Sequence, residues 1–378
     1  MASTSIHSPL RIGIVGCGRV TTEWHLPALA GLDEAVVVAV ADLDRGRADA
    51  VARRFGVPAA QSSAEALIAE GGAEAVAVCV PAREHTAVAR MALEAGLHVL
   101  VEKPLALSVP EADELIRLAE ASAGSAAVGF NLRHHRLVRR AREAVRAGAV
   151  GSVSLVSSTF ASASRRVPEV AEWRKRRALG GGVVLDQAIH HFDLWRHLLD
   201  TEITRVLAHG RGDDEHVAVC AETASGAVVT GSFSDATSAS NEISLTGSRG
   251  RIELSCYRVD GLEVIPAPEL PGEPRARLRR GAELVRALPQ EIAAMRAGGD
   301  HRASYLEQWR GFVAAARGHA PADSSLFDGR QALAVALAVI EATESGGSAE
   351  VDVPDRVLAL SGAVARAAMQ PGEGCKAV

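Results

Sequence analysis

The sequence lacks the features that mark several classes of protein. Its longest apolar runs, such as 332–340, are well short of the ~18 residues that indicate a membrane span. Its five cysteines form no CxxC pair and no zinc-ligand spacing. Basic residues are not in excess, because the formal net charge is −5, which argues against a general nucleic-acid partner. Residues 1–9 also lack the pattern of a signal peptide, so we expect a soluble, cytoplasmic protein with reduced cysteines.

The first ~130 residues alternate apolar runs with helical patterns, the organisation of a doubly wound α/β domain. Continuous apolar runs are typical of parallel strands that are covered on both faces. Strands are predicted at 11–15, 35–41, 75–80, 98–101 and 126–129, and helices at 27–31, 45–55, 85–95 and 110–123. We therefore predict a dinucleotide-binding Rossmann domain over residues 8–129.

After residue 129 the pattern changes to short alternating strands, which favours an α+β domain with a large, mostly antiparallel, open sheet. We assign residues 130–368 to this second domain. Predicted strands lie at 152–158, 203–207, 217–223, 227–234, 243–246 and 251–254, and helices at 138–147, from about 184, at 305–317 and at 329–345. Residues 258–300 are rich in Pro, Gly and Arg and are predicted to be a variable excursion with one helix at 282–296.

A glycine loop follows the first predicted strand and precedes a helix, as a dinucleotide loop must. Gly16 and Gly18 would let the backbone approach a pyrophosphate at the helix N-terminus. Thr21 stands where a third Gly or Ala is usual, which predicts slightly looser helix packing. Asp42 ends the second strand, where a carboxylate binds a ribose hydroxyl and repels a 2′-phosphate, so NAD is favoured. Arg45 lies close enough to leave NADP open, and a purely structural glycine turn is the alternative.

Lys103 follows the strand at 98–101, at the edge of the sheet where ligands bind. The neighbouring Pro104 restricts its backbone to extended conformations. A surface lysine paired with Glu102 is the alternative.

A helix after the glycines at 180–182 carries acids and histidines on one face. At about 100° per residue, four of them fall within an arc of about 60°; they are Asp186, His190, Asp193 and His197. We expect this stripe to face a cleft, with a solvated face as the alternative. A metal site is disfavoured, because no HExxH-type pattern accompanies the stripe.

With these residues, the chain resembles the glucose–fructose oxidoreductase/inositol dehydrogenase/MocA (Gfo/Idh/MocA) family over most of its length. The most specific match is AGLHVLVEKPLALS at 95–108. The other matching segments are GCGR at 16–19, Val80-Pro81 followed by His85, VGFNLR at 128–133, GAVG at 148–151, Trp173-Arg174, GGGVVLDQAIHHFDL at 180–194, Phe312, Pro321 and Asp328-Gly329. The order and spacing of these segments carry the resemblance.

The resemblance implies a site between the two domains, with NAD or NADP, a sugar or cyclitol substrate, and a homodimer or homotetramer formed through the open sheet. It implies cofactor contacts at Gly16, Gly18, Arg19, Val20, Asp42, Arg45, Val80, Pro81, His85, Glu102 and Lys103. Lys103, Asp186 and His190 match the catalytic lysine, acid and histidine. The candidate substrate contacts are Asp186 and His190 together with Arg133, Trp173 and Arg174. Asn131 is a further pocket candidate, and Ala188 departs from the family's DxGxH pattern.

The implied reaction is the NAD(P)-dependent oxidation of a secondary alcohol, or the reverse reduction. His190 would take the hydroxyl proton, Lys103 would stabilise the alkoxide, and Asp186 would bind a neighbouring hydroxyl and favour charged His190. Two basic residues, Arg133 and Arg174, would suit an acidic or phosphorylated sugar. One alternative is a redox-neutral epimerase, eliminase or glycosidase-type enzyme that oxidises the sugar transiently. Another is a non-catalytic nucleotide sensor, which the presence of all three catalytic residues argues against.

Overall fold

The computed structural model describes residues 8–70, 72–211, 215–270, 272–355 and 357. Residues 358–368 of the predicted second domain therefore lie outside the described residues. Within the described ranges, no helix is long and apolar enough to cross a membrane.

The first part of the chain forms a six-stranded parallel sheet, as predicted. Its strands are β1 (Leu10–Val15), β2 (Ala35–Ala41), β3 (Ala59–Gln61), β4 (Ala75–Val78), β5 (His98–Val101) and β6 (Ala126–Val128). The order β3-β2-β1-β4-β5-β6 is that of a Rossmann fold. The sequence analysis missed β3, because three half-buried residues carry no periodic signal.

Helices connect these parallel strands. They are α1 (Leu26–Leu29), α2 (Arg45–Phe55), α3 (Ala64–Glu70), α4 (His85–Glu94) and α5 (Val109–Ala121). The start of α5 is fixed by a capping box, in which Ser108 and Glu111 satisfy each other's backbone N–H groups. The seven-residue α3 was not predicted.

The second part forms an eight-stranded sheet, mostly antiparallel as predicted. Its strands are β7 (Val153–Ala161), β8 (Ile203–Arg211), β9 (His216–Thr223), β10 (Val228–Ser234), β11 (Ser240–Gly247), β12 (Gly250–Ser255), β13 (Leu262–Pro266) and β14 (Ser348–Glu350). The order is β13-β12-β11-β7-β10-β9-β8-β14, and β7 with β10 is the parallel pair among these strands.

Five further helices are described: α6 (Arg136–Arg146), α7 (Ile189–Leu199), α8 (Pro274–Arg296), α9 (Asp300–Ala316) and α10 (Leu326–Ser345). The region predicted as a variable excursion contains β13 and the long α8. Arg279 and Arg280 of α8 donate to the carbonyl oxygens of Val264 and Leu262, so the helix covers the edge of the sheet.

The apolar core extends from one sheet to the other. One cluster joins Val78 and Val101 of the parallel sheet to Trp195 and Phe233. A second cluster packs α9, including Trp309, against the opposite face of the parallel sheet. Helix α9 therefore belongs to the second part of the sequence but supports the first sheet, and it brings its side chains beside the glycine loop.

Candidate active site

The glycine loop after β1 depends on contacts that only glycine permits. Gly16 has a φ of 100°, and a Cβ there would lie 2.4 Å from the carbonyl oxygen of Cys79. A Cβ at Gly18 would meet no atom within 4 Å, so the space beside it is open. Thr21 is fully buried, and its hydroxyl donates to the carbonyl oxygen of Gly16 at 2.5 Å. The looser packing predicted at Thr21 is therefore wrong, because the wide π-helical turn Thr21–His25 accommodates this side chain.

Asp42 lies at the carboxyl end of β2, beside the loop. Its carboxylate accepts the backbone N–H groups of Cys17 and Asp44, both at 2.9 Å. The basic side chain near it is Arg47, at 3.5 Å. Arg45 instead forms an exposed pair with Asp49, and its contact with the cofactor stays a prediction. The sequence analysis missed Arg47, which lies two residues further along α2.

The other predicted cofactor residues divide into surface and buried positions. Arg19 is exposed and pairs with Glu23, and Val20 is half-buried beside it. Val80 and Pro81 are half-buried just after β4.

His85 is buried, and its ring joins two loops at the sheet edge. Its Nδ1 lies 2.6 Å from the carbonyl oxygen of Pro104, and its Nε2 lies 2.9 Å from that of Val80. Burial lowers the pKa of His85, so its neutral ring donates its one N–H to one of these two carbonyl oxygens. This side chain holds the Lys103–Pro104 loop against the end of β4, and its contact with the cofactor stays a prediction.

Lys103 and Asp186, 83 residues apart in sequence, meet in the structure. The Lys103–Pro104 peptide is cis. The Nζ of Lys103 donates to the Asp186 carboxylate at 2.9 Å and to the Asp186 carbonyl oxygen at 2.6 Å. Arg174 donates to the same carboxylate at 2.6 and 3.3 Å. The three side chains form one cluster, which we call the Lys103 cluster.

The charges in the Lys103 cluster fix the ionisation of Asp186. Burial alone would raise the pKa of Asp186, but the neighbouring Lys103 and Arg174 cations outweigh it and hold this pKa well below its usual range. Asp186 is therefore a carboxylate at neutral pH.

His190 lies one helical turn after Asp186, between the rings of Phe130 and Phe160 at 6.2 and 6.3 Å. Its buried Nδ1 has no hydrogen-bond partner among the described residues. Burial and the Lys103 cation lower its pKa well below the ordinary value, and Asp186 only partly opposes this shift. Asp186 thus favours the charged form of His190, as expected, but burial and Lys103 outweigh it, so the imidazole is neutral at neutral pH and can accept a proton.

The acids and histidines of the predicted stripe do not all face the same cleft. Asp193, on the next turn, is buried and binds Arg133 at 2.7 and 2.5 Å. Arg133 also donates to the Asp323 carbonyl oxygen and pairs with Asp328 at 2.9 Å. All of its nitrogens are thus engaged by protein groups, so the expected substrate contact of Arg133 is corrected to a structural ion pair. His197 is likewise buried.

Two other pocket candidates also have local partners. Asn131 is buried and donates to the hydroxyl of Ser304 at 3.0 Å, which indicates a structural role. Trp173 is half-buried in the turn that carries Arg174, and its carbonyl oxygen packs against Gly181.

A buried relay behind Glu102 was not predicted. The indole N–H of Trp309 donates to Nδ1 of His25 at 3.1 Å, so the N–H of His25 is at Nε2, 3.0 Å from Glu102. The other Glu102 oxygen accepts the backbone N–H of Lys103 at 3.2 Å. Burial alone would raise the pKa of Glu102, but the hydrogen bond from His25 and the Lys103 cation lower it. No local pattern reveals this relay, because His25 is 77 residues from Glu102 and 284 from Trp309.

These residues fit a dinucleotide. The open space at Gly18, the helix that begins beside it and the carboxylate of Asp42 are the parts that hold a pyrophosphate and a ribose. Glu102 and Lys103 lie along the same edge of the sheet, at the end of β5. Among the residues that the structure describes, no three His, Cys, Asp or Glu side chains are grouped as metal ligands.

Two family models match the chain. The model of the GFO_IDH_MocA oxidoreductase family, NAD-binding Rossmann fold, matches residues 10–130. The model of the GFO/IDH/MocA C-terminal domain matches residues 138–253.

Relatives match over nearly the whole length of the chain. Inositol 2-dehydrogenase 1 of Saccharopolyspora erythraea is 30% identical over 92% of this chain and 98% of the relative. Myo-inositol 2-dehydrogenase of Thermotoga maritima is 26% identical over 91% of this chain and 99% of the relative. A solved levoglucosan dehydrogenase, in complex with NADH and levoglucosan, has the same fold, with a TM-score of 0.78 and 22% identity over 91% of this chain and 100% of that chain.

Proposed function

The chain belongs to the Gfo/Idh/MocA family of oxidoreductases with an NAD-binding Rossmann fold, and we propose that it oxidises a secondary alcohol of a sugar, cyclitol or derivative. The reverse reaction is reduction of the corresponding ketone. The observation that carries this proposal is the Lys103 cluster, which lies beside a neutral His190 at the carboxyl edge of the parallel sheet. Full-length relatives are named as inositol dehydrogenases, which supports a polyol substrate.

We propose NAD as the cofactor, with the backbone at Gly16 and Gly18 against its pyrophosphate and Asp42 on a ribose. Arg19, Val20, Val80, Pro81, Glu102 and Lys103 complete the proposed contacts. Asp42 disfavours the 2′-phosphate of NADP by charge repulsion, which the nearby Arg47 partly offsets. When bound, the nicotinamide accepts the hydride that leaves the substrate carbon.

The proposed roles of the three catalytic residues follow from the hydrogen-bond donors and acceptors that each side chain can still offer to a substrate. His190 accepts the proton of the reacting hydroxyl, because its imidazole is neutral. Two donors of the Lys103 ammonium bind Asp186, so the third is available to the same substrate oxygen and to developing alkoxide charge. The Asp186 carboxylate holds Lys103 and Arg174 in place and accepts a hydrogen bond from a neighbouring substrate hydroxyl.

Charge at the site favours a neutral substrate. Lys103 and Arg174 both bind the Asp186 carboxylate, and Glu102 lies beside Lys103, so neither cation is left unpaired for a phosphate or a carboxylate. Arg133 is held in its own ion pairs. We therefore propose a neutral polyol, with Trp173 and Arg174 among its contacts, rather than the acidic or phosphorylated sugar suggested by the sequence.

We propose the same division of the chain as the sequence suggested, with residues 8–129 binding the cofactor and 130–368 binding substrate and forming the oligomer. A homodimer or homotetramer through the open sheet is supported by exposed Leu155, Leu207 and Val228 on its strands. A cytoplasmic location is supported by the free thiols of Cys17, Cys79, Cys220 and Cys256.

The test is the appearance of reduced nicotinamide when the purified protein is given NAD and a panel of inositols, aldoses and glucosides, with sugar phosphates as charged counterparts. The proposal expects reduction with a neutral polyol and a weaker signal with its phosphate. Substrate conversion without a net change in cofactor absorbance identifies a redox-neutral enzyme instead. NAD binding with no conversion of any kind contradicts the proposal.

A further inference from the structure

Helix α8 carries its large apolar side chains on the side that faces solvent. Five of them are between 37% and 75% exposed: Leu278, Val285, Leu288, Ile292 and Met295. With Gly281 they follow a 3-4-3-4-3 spacing, the spacing of a coiled-coil seam. We call this row the α8 stripe. It extends over ~26 Å, because a helix rises about 1.5 Å per residue.

The opposite face of α8, which packs on the protein, is small and polar. Ala276 is its one buried residue. Arg279 pairs with Glu269 and Glu283, and Arg280 pairs with Glu263, all within 3.4 Å. A helix that lies on its own protein normally buries its apolar face and exposes its charges. In α8 the row of large apolar side chains is exposed instead, which indicates that the α8 stripe is covered by something other than this chain's own core.

The α8 stripe matches a second copy of itself when the two helices run antiparallel. A two-fold axis between residues 286 and 287 places Val285 opposite Leu288 and Leu278 opposite Met295. The small Gly281 then lies opposite the large Ile292. In the parallel arrangement, Gly281 would face its own copy and leave a gap.

The charges beside the stripe match in the same arrangement. Arg277 comes directly before Leu278 of the stripe, and Glu291 comes directly before Ile292, which occupies the same heptad position as Leu278. When two helices pair antiparallel, the residues at these preceding positions face each other across the seam. Arg277 of one copy therefore faces Glu291 of the other, twice by symmetry. Neither side chain has an ion-pair partner among the residues described in the structure.

We propose that two copies of this chain associate through an antiparallel pairing of their α8 helices. This contact is separate from the open sheet, so a protein that also pairs through its sheet becomes a tetramer. A membrane surface fits the stripe less well, because the stripe contains no aromatic residue and the acidic Glu291 lies beside it.

The test is the solution mass of the purified full-length protein, measured by sedimentation equilibrium. Leu288→Glu places a charge in the centre of the seam, and the exposed Gln290→Glu is a control with the same new side chain outside it. We expect Leu288→Glu to halve the mass and Gln290→Glu to leave it unchanged. Because the Leu288 side chain is half exposed, both variants keep the fold, which unchanged thermal unfolding checks.

A charge exchange tests the direction of the pairing. Arg277→Glu and Glu291→Arg should each weaken association roughly tenfold, and the double variant should restore it. A monomeric wild type, an unchanged mass for Leu288→Glu, or a double variant no better than either single variant overturns the proposal. Binding of the monomer to anionic phospholipid vesicles, lost in Leu288→Glu, also overturns it.

Discussion

Replacement of His190 by alanine removes a neutral base beside the Lys103 cluster. Proton transfer by a positioned side chain typically contributes ~10²–10⁴ in rate, which corresponds to about 3–5 kcal/mol of barrier. We therefore expect kcat to fall by that factor at saturating NAD, with little change in the affinity for NAD. The pKa of His190 lies well below its ordinary value, so the wild type should keep its activity in mildly acidic solution and lose it only at lower pH. That acid limb should be absent from the pH profile of His190→Ala.

The adjacent histidine supplies the control for this experiment. His191 is fully buried, binds Asn241 at 3.1 Å and stacks on Phe160, so His191→Ala should lower thermal stability. Its kcat should stay within a few-fold of the wild type, because its ring binds Asn241 and not the Lys103 cluster. The reasoning is refuted if His190→Ala keeps a tenth or more of the wild-type kcat, or if His191→Ala loses as much activity as His190→Ala.

Four further substitutions test separate parts of the account. Lys103→Ala should lower kcat at least as much as His190→Ala, and near-normal turnover removes the lysine from the mechanism. Asp42→Ala should raise the ratio of NADP to NAD affinity by roughly tenfold, measured by cofactor titration, since ~1–2 kcal/mol of charge repulsion disappears. Trp309→Phe leaves Nδ1 of buried His25 without a donor, so the free energy of unfolding should fall by about 1–3 kcal/mol and kcat should also decrease. An unchanged free energy of unfolding argues against the hydrogen bonds that join Trp309, His25 and Glu102. Arg133→Met should cost about 3–5 kcal/mol of stability in denaturant unfolding without altering substrate preference, and a change of preference contradicts its structural assignment.

The parallel sheet could be predicted because its strands are continuous apolar runs, and the structure reproduces 35–41 and 98–101 to the residue. The helix at 45–55 was equally clear, since Asp44 caps its start and Gly56 ends it. The first eight residues of α8 were missed because they contain four arginines, a proline and a glycine, and their one large apolar residue, Leu278, faces solvent. The periodicity that normally identifies a helix assumes the opposite arrangement.

The site could be predicted only where a motif names its residues. Lys103, Asp186 and His190 were selected by their local patterns, and the structure brings the first two into contact. Arg133 was misassigned because its partners lie 60 and 190 residues away in sequence, where no local pattern shows that its donors are already engaged. His25 was missed for the same physical reason.

A single-turnover experiment tests the central claim most directly. Wild type, Lys103→Ala and His190→Ala are each saturated with NAD, mixed with the polyol found in the substrate panel, and followed by the absorbance of reduced nicotinamide. The account predicts rapid formation of reduced nicotinamide in the wild type and a loss of ~10²-fold or more in both variants, although they bind NAD equally well. Equal rates in all three proteins would contradict the assignment of this site as the place where the alcohol is oxidised.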